Sequence, residues 1–293
     1  MTTFFRTLLK ATALAVVSFL LCGCNRALFA IANAPARLVS ISRSTDIPYG
    51  EGSRRRLDVY APQEAKGLPV VVFWYGGAWT EGRKEDYRFV GTALARHGVI
   101  AVLPDYRLYP EIRYPEFVRD GAAAVAWVER HARELGGDPA RIVLMGHSAG
   151  AYMAAMLALA PDYLAAAGAK PADIVGFVGL SGPYVLEPDT ADLRAIFSSP
   201  YRPMDWQPVH YANPQAPPAL LVHGLDDRRV LPVQTRQLRE ALSAQQSRVE
   251  MELYERCGHA DTVAAFSAFR RQRLPISDRV FRFIDSVTGT GPG

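Results

Sequence analysis

Short apolar runs and longer amphipathic stretches alternate along most of this chain. The runs are Val70–Trp74 (VVVFW), Val99–Leu103 (VIAVL), Arg141–Met145 (RIVLM), Ile174–Leu180 (IVGFVGL), Ala219–His223 (ALLVH) and Val249–Tyr254 (VEMELY). Between them the spacing predicts helices near 85–97, 116–135, 149–159 and 232–245, with further helices beyond residue 254. Two more strands are expected around 38–49 and 55–60. Continuous Val/Ile/Leu runs separated by helix-length segments belong to strands buried on both faces, so the pattern predicts a mostly parallel, doubly wound α/β sheet with helices on both sides. The stretch 185–217 interrupts the alternation. It is rich in Pro and Asp, has no strand pattern and carries Phe197, Tyr201 and Trp206. Such an insertion suggests a lid, with these aromatics either packed inside it or lining an apolar pocket. One domain is expected over 38–288, with 25–37 as a tether or short first helix. In such sheets ligands bind at the carboxyl ends of the strands, so the residues just after each run matter most.

The first 24 residues depart from this pattern. Arg6 and Lys10 precede an apolar stretch from Ala11 to Leu21, followed by Cys22-Gly23-Cys24. The apolar stretch is short for a membrane span and has the outline of an export signal. Its end resembles the lipobox of bacterial lipoproteins, in which cleavage precedes a cysteine that takes a lipid; that cysteine is Cys24. An ordinary signal peptide or an uncleaved amphipathic anchor has the same outline. The implied location is the cell envelope, with attachment to a membrane through the lipid. Asn25 is not the aspartate associated with inner-membrane retention, which points to the outer membrane. If Cys22 leaves with the signal and Cys24 carries lipid, Cys257 stands alone, and no internal disulfide forms in the mature chain. The net charge of +4 comes with only one basic cluster, Arg54–Arg56, so nucleic acid is not an expected partner.

Directly after RIVLM comes Gly146-His147-Ser148-Ala149-Gly150, followed by a helix. This is G-x-S-x-G in the context of strand, sharp turn and helix, where glycines two before and two after the serine let the turn close. A serine hydroxyl needs a base, and the base an orienting acid, which in this arrangement follow in the order Ser, Asp or Glu, His. Six histidines are present. His97 and His131 fall at helix ends, His147 inside the turn and His210 in the insertion, while His223 precedes any acid of the loop that follows it. His259, in CGHAD, is left as the base. The acid belongs after ALLVH, where Asp226 and Asp227 compete and spacing alone does not choose. Cys257, two residues before His259, reads as packing. No cluster of His, Cys and acidic residues has metal-ligand spacing, so neither a metal nor an organic cofactor is called for.

These residues are shared with a known family. The pieces GGAW, PDYRLYPE, GGDPARIVLMGHSAGAYMAA, HGLDDRRV and GHAD resemble a serine esterase of the α/β-hydrolase fold, from the carboxylesterase-like branch of bacterial feruloyl and acetyl esterases, arylformamidases and prenylcysteine methylesterases. The resemblance implies ester hydrolysis through an acyl-enzyme on a small-molecule ester. Alternatives are an arylformamidase-type amide hydrolase, or an envelope lipoprotein that keeps the fold as a non-catalytic scaffold. The family's HG-x-x-D-x-x-V pattern falls on His223, Gly224, Asp227 and Val230, which implies Asp227 as the acid. Its H-G-G-x-W loop falls on residues 75–79, with Tyr75 in place of the histidine. The amides of Gly76 and Gly77, with Ala78 as a third candidate, and that of Ala149 are the implied oxyanion donors. Asp105, Arg107 and Asp120 also match and imply buried structural ion pairs.

Overall fold

The computed structural model describes residues 29–35, 40–270 and 273–290. The export signal, Cys24 and most of the expected tether lie outside the described residues; of the tether, 29–33 form a helical turn.

Eight strands form one sheet: β1 (Ser42–Pro48), β2 (Arg56–Ala61), β3 (Leu68–Trp74), β4 (Ile100–Pro104), β5 (Gly137–His147), β6 (Ile174–Leu180), β7 (Ala219–Gly224) and β8 (Val249–Tyr254). Their order is β1-β2-β4-β3-β5-β6-β7-β8. Only the first two pairings, β1 with β2 and β2 with β4, are antiparallel. The remaining pairs are parallel. This is the α/β-hydrolase arrangement that the sequence implies.

Burial follows the residue pattern. Val70 to Trp74 are wholly buried on both faces of β3, as a central parallel strand requires. At the edge, β8 alternates Val249, Met251 and Leu253 with Glu250 and Glu252, and each residue is half-buried. Its outward glutamates pair with Arg279 of the last long helix, Ile276–Thr288. That helix buries Ile276, Val280, Phe283 and Ile284, one stripe at helical spacing, and ends at Gly289 in the left-handed conformation. By contrast, the helix Ala149–Leu159 has no polar face, and every one of its residues is buried. Gly121 of the helix Glu116–His131 lets this helix come close: a Cβ there would lie 2.9 Å from Met153 Cε.

Three boundaries differ from the sequence expectation. β1 starts at Ser42 rather than 38. The helix expected at 116–135 ends at His131. β5 begins at Gly137, four residues before its apolar run, because Leu68 pairs with Gly137 ahead of a register shift. The 185–217 stretch contains no strand among its described residues. It holds the short helices Ala191–Ile196 and Pro203–Trp206 and a 3-10 turn, Pro208–Tyr211.

Candidate active site

Ser148 sits at the turn between β5 and the helix Ala149–Leu159, with φ 55° and ψ −123°. A non-glycine residue held there stores backbone strain that the surroundings must impose. Three contacts impose it. The Ser148 amide donates to the Leu180 carbonyl of β6 at 2.8 Å. A Cβ on Gly146 would lie 2.1 Å from the Gly150 carbonyl, and a Cβ on Gly150 would lie 2.0 Å from the Trp74 oxygen. The two glycines thus let the turn fold onto itself and onto the end of β3.

The acid and base loops are brought together in the same way. A Cβ on Gly224 would lie 2.1 Å from the Cys257 carbonyl. Without one, the Asp226 amide reaches that carbonyl at 3.0 Å and the Leu225 amide reaches Tyr254 O at 2.8 Å. Asp227 turns inward and is buried, while Asp226 is exposed. His259 bridges the two ends: Nδ1 is 2.7 Å from Asp227 Oδ2 and Nε2 is 2.9 Å from Ser148 Oγ. A carboxylate only accepts, so Nδ1 carries the proton and Nε2 is the acceptor that faces the serine hydroxyl. Burial by itself would raise the Asp227 carboxyl. Hydrogen bonds from His223 and His259 outweigh it and hold the group far below the usual carboxylate range. The other oxygen, Oδ1, accepts from the amides of Arg229 (2.9 Å) and Val230 (3.0 Å).

The loop after β3 faces Ser148 from the other side. Gly76 and Gly77 are there for different reasons. A Cβ on Gly76 would lie 2.8 Å from Ser148 Cβ; Gly77 has φ 134°, and a Cβ there would lie 2.1 Å from Glu81 O. Ala78 and Trp79 follow at φ 49° and 60°, pinned by the buried Trp79 ring against Phe117, Tyr152 and Phe197. The Gly76 amide has no backbone acceptor among the described residues. Among the described residues no carbonyl or side chain accepts from the amides of Gly77 or Ala78, and the Ala149 amide is at a helix start, where N–H groups have no partner within the helix. Tyr75, which stands where the family has histidine, supports this loop from behind. Its hydroxyl donates to Asp105 Oδ1 at 2.8 Å and accepts from Arg54 Nη2 at 2.7 Å. Its ring stacks on Tyr106, and the Tyr106 hydroxyl donates to the Tyr75 carbonyl. Asp105 also faces Lys84, and Arg107 grips Asp120 through both oxygens with Arg55 beside it.

Two histidines set aside from the sequence are part of this centre. His147 lies under the base, its ring 4.9 Å from that of His259, with Nε2 3.0 Å from the His259 carbonyl. Nε2 must donate there, and Nδ1 is buried without a partner. Burial, with the neighbouring His259, pushes its pKa down to about 3, so the ring is neutral. His223 reaches Asp227, Nε2 to Oδ2, at 3.1 Å. Sequence order had no means of finding either residue; the local signals are that His223 opens the HG-x-x-D-x-x-V pattern and that His147 lies inside G-x-S-x-G. Cys257 is buried with its thiol pushed up to about 12 by desolvation, in keeping with packing. Among the described residues no group of three or more His, Cys, Asp or Glu side chains could hold a metal ion.

Comparison with known proteins agrees with this architecture. The prolyl oligopeptidase family model matches residues 118–290, and the BD-FAE model matches 57–173. The chain belongs to the α/β-hydrolase serine hydrolases. Within that family it is 33% identical over 238 residues to the isoprenylcysteine alpha-carbonyl methylesterase of Arabidopsis thaliana, covering 73% of this chain and 56% of that protein. It is 31% identical over 264 residues to the esterase LipQ of Mycobacterium tuberculosis, covering 81% and 62%. The chain thus spans little more than half the length of these curated relatives. A truncated carbohydrate esterase from gut microbiota superposes with a TM-score of 0.74 at 17% identity, over 85% of this chain and 96% of that one, which is a likeness of fold.

Proposed function

We propose that this α/β-hydrolase is a serine carboxylic ester hydrolase that works through an acyl-enzyme. One observation carries the reading: a strained, projecting Ser148 in line with His259 and a buried Asp227, at 2.9 and 2.7 Å. Ser148 Oγ attacks the ester carbonyl and its proton passes to His259 Nε2; Asp227 stabilises the resulting imidazolium. His259 then protonates the departing alcohol and activates the water that releases the acid. The oxyanion rests on the amides of Gly77, Ala78 and Ala149. The Gly76 amide, implied with them by the family pattern, likewise has no backbone acceptor among the described residues. Each such donor is worth about 2.7–4 kcal/mol in the transition state. The relatives' names, esterase and methylesterase, support an ester substrate. Residues 185–217 act as lid and pocket wall. Their Phe197 packs 4.9 Å from Trp79, and the Trp206 carbonyl accepts from Tyr152 of the nucleophile helix at 2.7 Å.

The test is hydrolysis of p-nitrophenyl esters from acetate to octanoate by the full chain in detergent. Turnover by the wild type and a loss of about a thousandfold or more in Ser148→Ala are expected. A folded wild type as inactive as the variant would sink the reading, and turnover of aryl formamides in place of esters would move it to an amide hydrolase. The N-terminal sequence further supports export and lipid attachment at Cys24, placing the enzyme on an envelope membrane. Activity should then sediment with membranes and become soluble in Cys24→Ser.

A further inference from the structure

We propose that His223 is a positioning residue for this reaction: it holds the Asp227 carboxylate and shares its charge, and so sets the pH at which His259 takes up a proton. The proposal rests on the reading of Ser148, His259 and Asp227 as a relay.

His223 closes β7 and is wholly buried. Its Nε2 lies 2.9 Å from the Val230 carbonyl and 3.1 Å from Asp227 Oδ2. Both partners are pure acceptors, so Nε2 carries a proton and divides it between them. On the other side of the ring, Nδ1 is 2.6 Å from the hydroxyl of buried Thr235, in the first turn of the helix Pro232–Ala244. The carbonyl and the carboxylate at Nε2 thus fix the tautomer, and the Thr235 hydroxyl, which can donate or accept, donates to the bare Nδ1. An ionised carboxylate offers about four lone-pair sites, and at Asp227 each has a donor. Oδ1 takes the amides of Arg229 and Val230, and Oδ2 takes His223 and His259.

Two consequences follow. The carboxylate cannot rotate, so the His259 ring has one orientation. The anion's charge is also spread over a donor that is not the base, which weakens its hold on the His259 cation. The other groups around the pair are neutral, paired or exposed to solvent. His147 is a neutral ring, and the Cys257 thiol is protonated. Asp226 faces solvent, and Asp261 is paired with Arg270 at 2.7 Å. The side chains of Arg228 and Arg229 are exposed. His223 is therefore the neighbour whose removal most changes the field at His259.

The experiment follows fluorophosphonate labelling of the full chain in detergent across pH, in wild type, Ser148→Ala, His223→Leu and His223→Gln. Labelling reads the Ser148–His259 pair with no knowledge of the natural ester. Removing the donor leaves more of the carboxylate's charge for His259, so the acid limb of His223→Leu should move up by about half a unit to one unit, with the plateau rate down by about tenfold. Glutamine can place an amide N–H near the position of Nε2, and His223→Gln should restore the wild-type limb. A folded His223→Leu whose rate falls while its limb stays in place, or moves down, overturns the proposal and leaves His223 a packing residue. If His223→Leu does not fold, ¹⁵N-histidine spectra of the wild type decide. A His223 protonated on Nε2 and bare on Nδ1 at neutral pH supports the assignment; the opposite tautomer removes the donor to Asp227 and overturns it. A wild type that takes no label, or a Ser148→Ala that labels equally, defeats the underlying reading of the relay instead.

Discussion

The turn that carries Ser148 and the loop that faces it are held by opposite means. The turn is held by missing side chains: Gly146 and Gly150 let backbone meet backbone at distances no Cβ permits. The facing loop needs missing side chains only where it touches Ser148 and Glu81; elsewhere it is propped by large ones. Tyr75, Tyr106, Arg54, Asp105 and the Trp79 ring fix a path that includes two consecutive left-handed non-glycine residues. The contrast shows that strain can be maintained either by close backbone approach or by a packed frame, and that each fails to a different substitution. Adding one carbon breaks the first. Removing one hydroxyl loosens the second.

Among substitutions that leave the reacting groups in place, the largest effect should come from Gly150→Ala. Its Cβ would press on the Trp74 carbonyl at 2.0 Å, so Ser148 must shift. Ester turnover and fluorophosphonate labelling should fall by about a hundredfold or more, while circular dichroism shows whether the sheet survives. Retained activity would mean that the turn can relax elsewhere and that the close approach is incidental.

Tyr75→Phe probes the facing loop. It deletes a hydroxyl that joins Arg54 to buried Asp105. A stability loss of about 1–3 kcal/mol in urea denaturation is expected. Turnover should fall by about tenfold with KM little changed, because the loop amides act on the transition state. A rate equal to wild type would show that the Trp79 side of the frame is sufficient.

His147→Gln sharpens the comparison from beneath the base. His147 is neutral in the fold, with its pKa pushed down to about 3 by burial, whereas an unfolded histidine takes a proton near about 6.5. The fold therefore has its full stability above about 6.5 and loses it as pH falls toward about 3. Glutamine keeps an N–H for the His259 carbonyl but does not titrate. Relative to wild type, the variant should gain about 1.4 kcal/mol per pH unit below about 6.5 and nothing above it. Melting temperatures at pH 7 and pH 5.5 measure this. Parallel curves would show that His147 is protonated in the fold after all.

The legible and illegible parts of the molecule divide along similar lines. The central strands were readable because burial on both faces leaves runs without a polar side chain, as in β3 and β6. The start of β5 was not, since Gly137-Asp138-Pro139 has no strand character and is extended only because Leu68 pairs with it. The 185–217 stretch showed its aromatics but not their contacts, because Trp206 meets Tyr152 across 54 positions of chain.

The sequence by itself determined the eight-stranded α/β plan, the turn at Ser148 and the short set of residues able to serve as acid and base, because periodicity and glycine placement act over a few neighbouring residues. The family pattern already implied Asp227, and the structure shows it turned toward His259; tertiary structure alone decided that Tyr75 anchors to Asp105 and Arg54, and that His147 and His223 join the centre. The physical reason is that a hydrogen bond near 3 Å between residues 32 or 112 positions apart depends on where several strands end together in space, and no local pattern encodes that meeting point.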